Sequence, residues 1–526
     1  MRYRFYSENE WVYPDDEIVE NSVVLHAARG GSVSVQLLTD GCVSGNTPVP
    51  VSFSYGGKSK MTLYQLIPVV VDENSGAELY TTLDYPSVEH FVTKKAPFEV
   101  YDKTVLLGEK LSPGRAGFFI RFDVAPDAAP GVDNGVIAIS FGGDVISAPV
   151  SIKIYDVDIP PLDECSFHMN NWLSYRNVDA QYPNITKYSD EYWQLIENHA
   201  LNLLDMRSDY IAIPAGVPVR DENGKVVDFD FSVTEKMGNL FLKAGFNKIV
   251  GGFVAKFRNW DKPWHFLMWD KEVNVISFEA YRQLKIYFTK ANDLIVKNGW
   301  QNSYHQGILD ETQFANSEHY RILTGICRKF MPGVIINDPV ESTDLEGGID
   351  IWVVKQAIYE KYIEKFKALQ ELGEEIWIYT CGFPAGDMMN RIIDLPVPAG
   401  RLPMWMCYKY NCPGFLHWGY NIHNPEVEQA TCYKTGLGDK YPAGNSFIVY
   451  PGKDGPEYGI RAHCQRTGAE DYELLNILGK SDKNKALELI EKVCRTFSDY
   501  ERDPAVFDGA RAELLAACEK IKRENG

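Results

Sequence analysis

The stretch Ser303-Tyr-His-Gln-Gly-Ile-Leu-Asp-Glu311 contains a short apolar run that ends in two adjacent carboxylates. A short apolar run bounded by polar residues predicts a buried β-strand when helical patterns flank it. One such pattern lies directly upstream, with apolar residues on one face of a helix: Tyr281, Leu284, Tyr287, Phe288, Ala291, Leu294 and Ile295. The stretch is therefore predicted to be one strand in a region of alternating strands and helices.

That alternation begins at Ser166 and continues through most of the chain. It contains eight predicted strands: Phe167–Trp172, Leu203–Arg207, Lys248–Phe253, Ser303–Leu309, Val334–Asn337, Ile349–Val354, Ile376–Cys381 and Gly414–Tyr420. Eight strand–helix units of this kind predict a (β/α)8 barrel of the TIM type. The alternative is an open doubly wound sheet, but the sequence lacks the glycine-rich first turn that would support it.

The first 160 residues have a different pattern, which predicts an all-β domain. Short β-rich runs recur between turn signals: Ser32–Leu38, Thr62–Val71, Gly117–Val124, Gly135–Ser140 and Ala148–Tyr155. A β-sandwich is the fold that such runs favour. We therefore predict three parts, namely a sandwich over residues 1–160, a catalytic barrel over 161–480, and a helical extension over 481–526 that packs on the barrel.

Composition and charge exclude several classes of protein. The net charge of −19 argues against nucleic acid or an anionic membrane as a partner, because both bind basic surfaces. The chain has no apolar run of about 18 residues, so no membrane span is predicted. The start lacks the apolar segment of a signal peptide, and the ten cysteines are scattered. A reduced, cytoplasmic location is therefore expected, while the oligomeric state stays open.

We expect neither a metal nor a cofactor. The ten histidines show no zinc-ligand spacing, and the chain has no Cys-x-x-Cys pair, P-loop or dinucleotide-type glycine motif. Aromatic residues are plentiful instead, with 30 Tyr, 26 Phe and 11 Trp. Aromatic faces stack on sugar rings, although large cores also use them. A sugar site therefore fits the chain better than a metal site.

In a barrel of this type, functional residues gather at the C-terminal ends of the strands. That rule selects the following candidates: Asn170, Asn171, Trp172, Arg207, Asp209, Lys256, Arg258, Trp260, Asp310, Glu311, Asn337, Asp338, Trp352, Lys355, Tyr379, Cys381, His417, Trp418 and Asn421. His305 lies within the fourth predicted strand. Serine or cysteine in a nucleophile elbow is missing from this set, which disfavours acyl transfer.

The adjacent pair Asp310 and Glu311 is the most informative of these candidates. An isolated Asp-Glu is most often a solvated loop, so its place at a strand end is what gives the pair weight. The usual glycosidase arrangement needs carboxyls on opposite sides of the scissile bond, about 5–9 Å apart, and neighbours in sequence suit that poorly. They suit hydrolysis assisted by the sugar's own 2-acetamido group, in which one carboxylate orients the amide and the other moves the proton.

Several stretches resemble glycoside hydrolase family 123 and its wider kin. The Asp310-Glu311 pair resembles the family's Asp-Glu pair, Ile376–Cys381 its aromatic seventh strand, and Gly414–Asn421 its eighth. A later signature is also similar: Tyr450-Pro-Gly-Lys-Asp-Gly455, then Gly459-Ile-Arg461, then Arg466-Thr-Gly-Ala-Glu-Asp-Tyr-Glu473. Upstream, Asp127–Val132 and Ile152–Pro160 resemble the sandwich that precedes the barrel, so the resemblance covers most of the chain.

The resemblance implies a retaining exo-β-N-acetylgalactosaminidase that works through an oxazolinium intermediate on glycans or glycolipids. By that carry-over, Asp310 orients the acetamido group and Glu311 is the general acid and base. From their strand-end positions, Tyr379 is predicted to bind the acetamido oxygen and Trp418 to form the wall behind the sugar. His305, Trp352 and Asn171 are further predicted substrate contacts. The alternatives are hydrolysis of another 2-acetamido sugar, such as β-N-acetylglucosamine, and sugar binding without turnover.

Overall fold

The computed structural model describes residues 1–76, 88–257, 265–423, 433–434 and 440–525. Its first part is a sandwich of two five-stranded sheets. The strands are β1 Tyr3–Ser7, β2 Val24–Arg29, β3 Ser32–Val43, β4 Val49–Tyr55, β5 Lys60–Val71, β6 Phe98–Leu106, β7 Lys110–Leu111, β8 Gly114–Asp123, β9 Gly131–Phe141 and β10 Asp144–Asp158. One sheet has the order β1-β3-β8-β5-β6 and the other β2-β10-β9-β4-β7.

The sheet that contains β8 is buried on both faces. Side chains alternate along a strand, so Phe118 and Ile120 pack into the space between the two sheets. Phe119 points the other way and joins a second cluster that includes Phe447 and Ile460 from the later part of the chain. A sandwich over the first 160 residues was predicted, and its second buried face joins it to the rest of the molecule.

The second part is a closed barrel of eight parallel strands. In spatial order its strands are β11 His168–Asn171, β12 Tyr210–Ile213, β15 Lys248–Gly251, β19 Tyr304–Gln306, β20 Ile335–Val340, β21 Ile351–Lys355, β22 Glu375–Thr380 and β23 Gly414–His417. Short strands leave the barrel as excursions: β13 Val217–Arg220, β14 Val226–Asp230, β16 Ala255–Phe257, β17 His265–Leu267, β18 Asp270–Asn274, β24 Tyr433–Lys434, β25 Lys440–Tyr441, β26 Val449–Pro451 and β27 Pro456–Tyr458. The predicted barrel is confirmed.

Helices surround the barrel and close the chain. They are α1 Tyr175–Gln181, α2 Asp190–Asp205, α3 Ser232–Ala244, α4 Phe278–Asn298, α5 Ser317–Phe330, α6 Gln356–Lys361, α7 Ile363–Glu371, α8 Leu402–Lys409, α9 Ile460–Ser481, α10 Lys483–Val493 and α11 Pro504–Asn525. The sequence sets their ends: in α4, Ser277 accepts a hydrogen bond from the Ala280 amide, and Gly299 at φ 71° ends the helix. Within the described ranges we find no helix both long and apolar enough to span a bilayer.

One predicted strand is wrong. Residues 203–205 belong to helix α2, and the second barrel strand is Tyr210–Ile213. The buried residues Leu195, Ile196, Ala200 and Leu203 share one face of that helix, so Leu203 continues a helical pattern. A short apolar run such as 203–207 does not by itself distinguish a helix end from a strand.

Buried ion pairs join the sandwich to α9. Arg461 binds Asp102 of β6 at 2.8 Å, and Arg401 binds Glu8 and Asp471, each at 2.7 Å. Arg401 and Asp471 are fully buried. Removing one partner of such a pair leaves an uncompensated charge, which typically costs about 3–5 kcal/mol. Arg461 and Asp471, two charged residues of the signature near the end of the barrel sequence, therefore help to join the two domains.

Candidate active site

The two carboxylates stand where β19 opens onto the C-terminal end of the barrel. Ile308 and Leu309 are buried, and the Ile308 amide donates to the Asp338 carboxylate at 2.8 Å. Consecutive side chains on an extended strand point to opposite faces, yet Asp310 and Glu311 line the same pocket. Glu311 has φ 48°, in the left-handed region that non-glycine residues seldom adopt. At Glu311 the backbone therefore departs from the extended geometry of a strand.

The pocket that they line has a volume of about 670 Å³. Its other charged residues are Glu341 and Lys355, and its aromatic residues are Trp172, Tyr379, Phe383, Trp418 and Tyr441. The Trp418 and Tyr441 rings lie 5.0 Å apart. A concave pocket with aromatic walls and a few convergent polar groups is the usual form of a small-ligand site. Here those polar groups include three carboxyl groups and one ammonium.

Glu311 is bound by two donors. The Tyr379 hydroxyl donates to Oε1 of Glu311 at 2.5 Å, and the Lys355 ammonium lies 3.3 Å from the same atom. Lys355 also binds Glu341 closely, so it bridges the two glutamates. The two donors therefore fix the position of the Glu311 carboxyl group beside Tyr379 and Lys355.

Asp310 is the group on which a proton is retained. Burial, and then the charge of Glu311, raise the pKa of Asp310 to about 8, while Lys355 lowers it and Glu341 raises it. Burial and Glu311 also raise the pKa of Glu341, against the lowering effect of Lys355. Because the charge of Glu311 raises the pKa of Asp310, these two groups do not both ionise easily, and their titration belongs to the pair. Near neutral pH the pair therefore carries one proton.

The charges around the pair predict opposite pH shifts for two neighbouring variants. Lys355→Met removes a cation, which raises the pKa of the pair and moves the basic limb of kcat/KM to higher pH by about one unit. Glu341→Gln removes an anion and moves that limb to lower pH by a similar amount. The measurement is a pH profile of kcat/KM for both variants and the wild type. Shifts in the same direction, or none, would contradict this electrostatic account.

Some of the predicted site residues come together here and others do not. Asp310, Glu311, Tyr379 and Trp418 line the pocket, as do Trp172, Lys355 and Cys381 from the wider set of strand-end residues. Asn171 is fully buried outside it, with its Oδ1 accepting from Arg391 Nη1 at 2.9 Å. Arg258 and Trp260 lie outside the described residues.

His305 and Trp352 were predicted to contact substrate, and the structure does not bring either to the pocket. His305 lines a separate pocket with His168 and Lys248, residues at the N-terminal ends of their strands. Along β21, Ile351 and Val353 face the barrel interior, whereas Trp352 faces the helices. Its indole donates to Glu374 at 2.8 Å. Strand alternation thus places Trp352 in the barrel wall, away from any sugar in the pocket.

Glu341 was not predicted. We ended the fifth strand at Asn337, whereas β20 continues to Val340 and Glu341 follows directly. The strand-end rule applied to the true boundary selects Glu341. Pro339 lies within β20, and a proline inside a run usually argues against a strand.

One group of metal-type ligands exists among the described residues, at the opposite end of the barrel. It consists of Cys165, His168 and Asp209. Asp209 precedes β12 and is fully satisfied by protein, since it accepts from the Met169 amide, the Asn247 side chain and His168 Nδ1 at 2.9, 2.9 and 2.7 Å. These hydrogen bonds hold the neighbouring strands β11 and β12 together. In the candidate active site itself, the positive charge between the acids is the ammonium of Lys355.

Comparison with solved structures places this architecture beside a family 123 glycoside hydrolase from Clostridium perfringens, studied for glycolipid glycan hydrolysis. That structure has a TM-score of 0.76 and 14% identity, over 99% of this chain and 98% of the other. A GH10 xylanase with a bacterial Ig-like domain from termite gut is 12% identical over 86% of this chain and 100% of that one, with a TM-score of 0.36. At this identity the first likeness shows the fold alone, and the second is too weak to argue from.

Among curated proteins, nothing matches this chain. The model of the glycoside hydrolase 123 catalytic domain matches residues 172–478. That range is more than half of the sequence. It contains the Asp310-Glu311 pair and every other residue that lines the active-site pocket. The protein therefore belongs to glycoside hydrolase family 123.

Proposed function

We propose that this protein is a retaining exo-β-N-acetylgalactosaminidase that removes terminal β-linked N-acetylgalactosamine from glycans by substrate-assisted catalysis. The observation that carries the proposal is that Asp310 and Glu311, neighbours in sequence, line one pocket. A pair on one side of the sugar can orient the 2-acetamido group and move a proton, but cannot flank the scissile bond from opposite sides. The Clostridium perfringens relative, studied on glycolipid glycans, suggests glycolipids among the substrates.

In the first step, Asp310 accepts a hydrogen bond from the acetamido N–H and directs the carbonyl oxygen to the anomeric carbon. Glu311 donates its proton to the glycosidic oxygen as the bond to the anomeric carbon breaks. The acetamido oxygen then forms the new bond, which gives an oxazolinium ion. In the second step, Glu311 takes a proton from water, and the resulting hydroxide equivalent opens the ring with net retention.

The proton must be on Glu311 when the first step begins. Burial and the charge of Glu311 raise the pKa of Asp310 to about 8, so the proton of the pair starts on Asp310. An acetamido N–H that donates to Asp310 favours its ionised form. Substrate binding therefore drives the proton from Asp310 to Glu311. The Tyr379 hydroxyl has one hydrogen, which it donates to Glu311. It can therefore donate to an acetamido oxygen only when that bond is broken.

Glu341 is the third carboxylate of the pocket and the group that a different mechanism would require. An enzymic nucleophile on the opposite face of the sugar would make the acetamido group dispensable. Glu341 is instead in close contact with Lys355, and its side chain is only 18% exposed. We therefore assign it an electrostatic role, and the experiment below decides between the two.

The proposed mechanism predicts an absolute need for the acetamido group. A panel of aryl β-glycosides of N-acetylgalactosamine, N-acetylglucosamine, galactose and glucose is the test. The N-acetylgalactosaminide should be cleaved, and the galactoside, which has a hydroxyl in place of the nucleophile, should be inert. Comparable turnover of the galactoside would refute the mechanism. Faster cleavage of the N-acetylglucosaminide would keep the mechanism and change the substrate.

A further inference from the structure

A buried arginine contacts the end of the first barrel strand without lining the active-site pocket. Arg391 is 2% exposed, and its Nη1 donates to Oδ1 of Asn171 at 2.9 Å. Asn171 is the last residue of β11, and Trp172, which lines the pocket, follows it directly. Arg391 therefore holds the residue next to one of the aromatic side chains of the pocket.

Strand alternation places this contact outside the barrel, between its wall and the surrounding helices. Asn171 pairs in register with His417 of the neighbouring strand β23, so the two side chains share one face of the sheet. Phe415 of β23 packs in the cluster that includes the helices, whereas Leu416 packs in the barrel interior. His417, two residues after Phe415, therefore points outward, and Asn171 does so beside it.

The two tryptophans of the pocket follow this outward-facing pair. Trp172 comes directly after Asn171. Trp418 comes directly after His417, and both tryptophans line the pocket. The Trp172 amide also donates to the His417 carbonyl oxygen at 3.0 Å. A shift of Asn171 therefore moves the backbone from which the Trp172 indole projects.

Arg461, which binds the sandwich, fixes the backbone of Arg391. Nη1 of Arg461 donates to the Arg391 carbonyl oxygen at 2.9 Å and to that of Phe447 at 2.7 Å. The same guanidinium binds Asp102 of β6 at 2.8 Å. Contacts therefore extend from the sandwich through Arg461 and Arg391 to the pocket wall.

Arg391 is costly for the stability of the fold. Within the described ranges, its Nε and Nη2 atoms have no hydrogen-bond partner, and its other side-chain contact is Oε1 of Gln465, 3.5 Å from Nη1. Burial, and then the charge of Arg461, lower the pKa of Arg391 well below its ordinary value. A buried charge without a counter-charge destabilises a protein, and an apolar residue of similar volume in its place is often neutral or stabilising. Stability therefore does not account for an arginine here, whereas the geometry of the pocket wall does.

We propose that Arg391 is a positioning residue, which holds Asn171 so that the indole of Trp172 keeps the orientation that binds the sugar. Trp172 contacts the substrate through its aromatic face, and Arg391 acts on the substrate only through Trp172. The proposal rests on the proposed function, because it requires that the pocket bind a sugar.

The test is a double-mutant cycle between Arg391→Met and Trp172→Ala, measured on the aryl β-glycoside that the wild type hydrolyses best. Arg391→Met should raise KM by about tenfold to a hundredfold, the effect of a misplaced group, and should change kcat much less. Its Tm should equal or exceed that of the wild type. In the Trp172→Ala background the same substitution should leave KM unchanged, because the residue through which it acts is already lost.

Asn171→Leu is the second variant, because it removes the acceptor and leaves Arg391 in place. It should raise KM as Arg391→Met does, and the two substitutions together should raise KM no further than either alone. Combined with Trp172→Ala, it completes the same cycle if the methionine variant does not fold. The inhibition constant of the free product sugar is measured in parallel, because it reports binding without turnover.

A KM near that of the wild type in both single variants, or KM effects that multiply with that of Trp172→Ala, would overturn the inference and leave the proposed function standing. A fall in kcat and Tm at unchanged KM would show a structural role alone and would overturn it as well. No hydrolysis of any glycoside in the panel refutes the proposed function itself.

Discussion

Asp310→Asn is expected to lower kcat/KM for every aryl β-N-acetylgalactosaminide by about two to three orders of magnitude, whatever the leaving group. In the proposed mechanism, positive charge develops on the acetamido nitrogen as the oxazolinium ion forms, and an asparagine cannot offset it as a carboxylate does. One electrostatic contact of this kind is worth about 2–4 kcal/mol in the transition state. Steady-state kinetics with an activated phenol and with a natural sugar as leaving groups give the measurement. A thiazoline that mimics the oxazoline should bind the wild type tightly and this variant much less well.

The same substitution should stabilise the protein, which shows that lost activity is not lost folding. Burial raises the folded-state pKa of Asp310 to about 8, above its ordinary value of 3.8. The folded state therefore holds a proton that the unfolded state has released between about pH 4 and 8, and stability falls as pH rises through that window. Asparagine does not titrate, so the gain in Tm over wild type should be larger at about pH 8 than at about pH 5. A lower Tm at both pH values would contradict this assignment.

Glu311→Ala is expected to have an effect that depends on the leaving group. An activated phenol leaves almost without protonation, so its hydrolysis should suffer least, whereas a sugar leaving group should lose far more. General acid catalysis typically contributes about a hundredfold to ten-thousandfold, and the difference between the two substrates should approach that range. Rate constants for a series of aryl leaving groups of rising pKa provide the measurement, as a steeper dependence in the variant than in the wild type.

Glu311→Gln is the matched control, because it keeps the length of the side chain and its bond from Tyr379 while removing the acid. It should follow the alanine variant in leaving-group dependence. If Glu311→Ala were equally impaired on every substrate while Asp310→Asn stayed near the wild type, the two roles would be reversed or the pair would not be catalytic.

Much of the barrel and the pair itself were predictable, because strand alternation and the strand-end rule are local properties of sequence. Asp310, Glu311, Tyr379 and Trp418 line the pocket as expected from their positions. The predictions that placed a side chain on the wrong face were made where only tertiary packing decides which face it takes. Trp352 lies one residue from Ile351, and only the register of β21 in the closed barrel fixes which of the two faces inward.

Other features depend on contacts that no single stretch of sequence contains. The Lys355 bridge between Glu311 and Glu341 joins the ends of three different strands, and none of the three residues forms a motif with another. The raised pKa of Asp310 likewise follows from burial and from neighbours up to 45 positions away in the chain, since Lys355 is one of them. The left-handed φ of Glu311 is also a property of the folded loop.

The positive φ of Glu311 and the close contact between the acids of the pocket each lower the stability of the protein. A non-glycine residue at positive φ is unfavourable by about 1–2 kcal/mol, and the proton-sharing pair adds a pH-dependent penalty. Sites of this type persist when the surrounding structure over-determines them. Here the closed barrel, whose strand β19 leads into the pair, provides that support.

The sheet that is buried on both faces makes the N-terminal sandwich inseparable from the barrel. Phe119 packs against residues of the later chain, and Arg461 depends on Asp102 for its only carboxylate bond among the described residues. Cutting the gene at the boundary near residue 160 would expose apolar surface and orphan buried charges on both fragments. A change on one side of this junction is therefore expected to need a compensating change on the other side, so the two domains constrain each other's sequence.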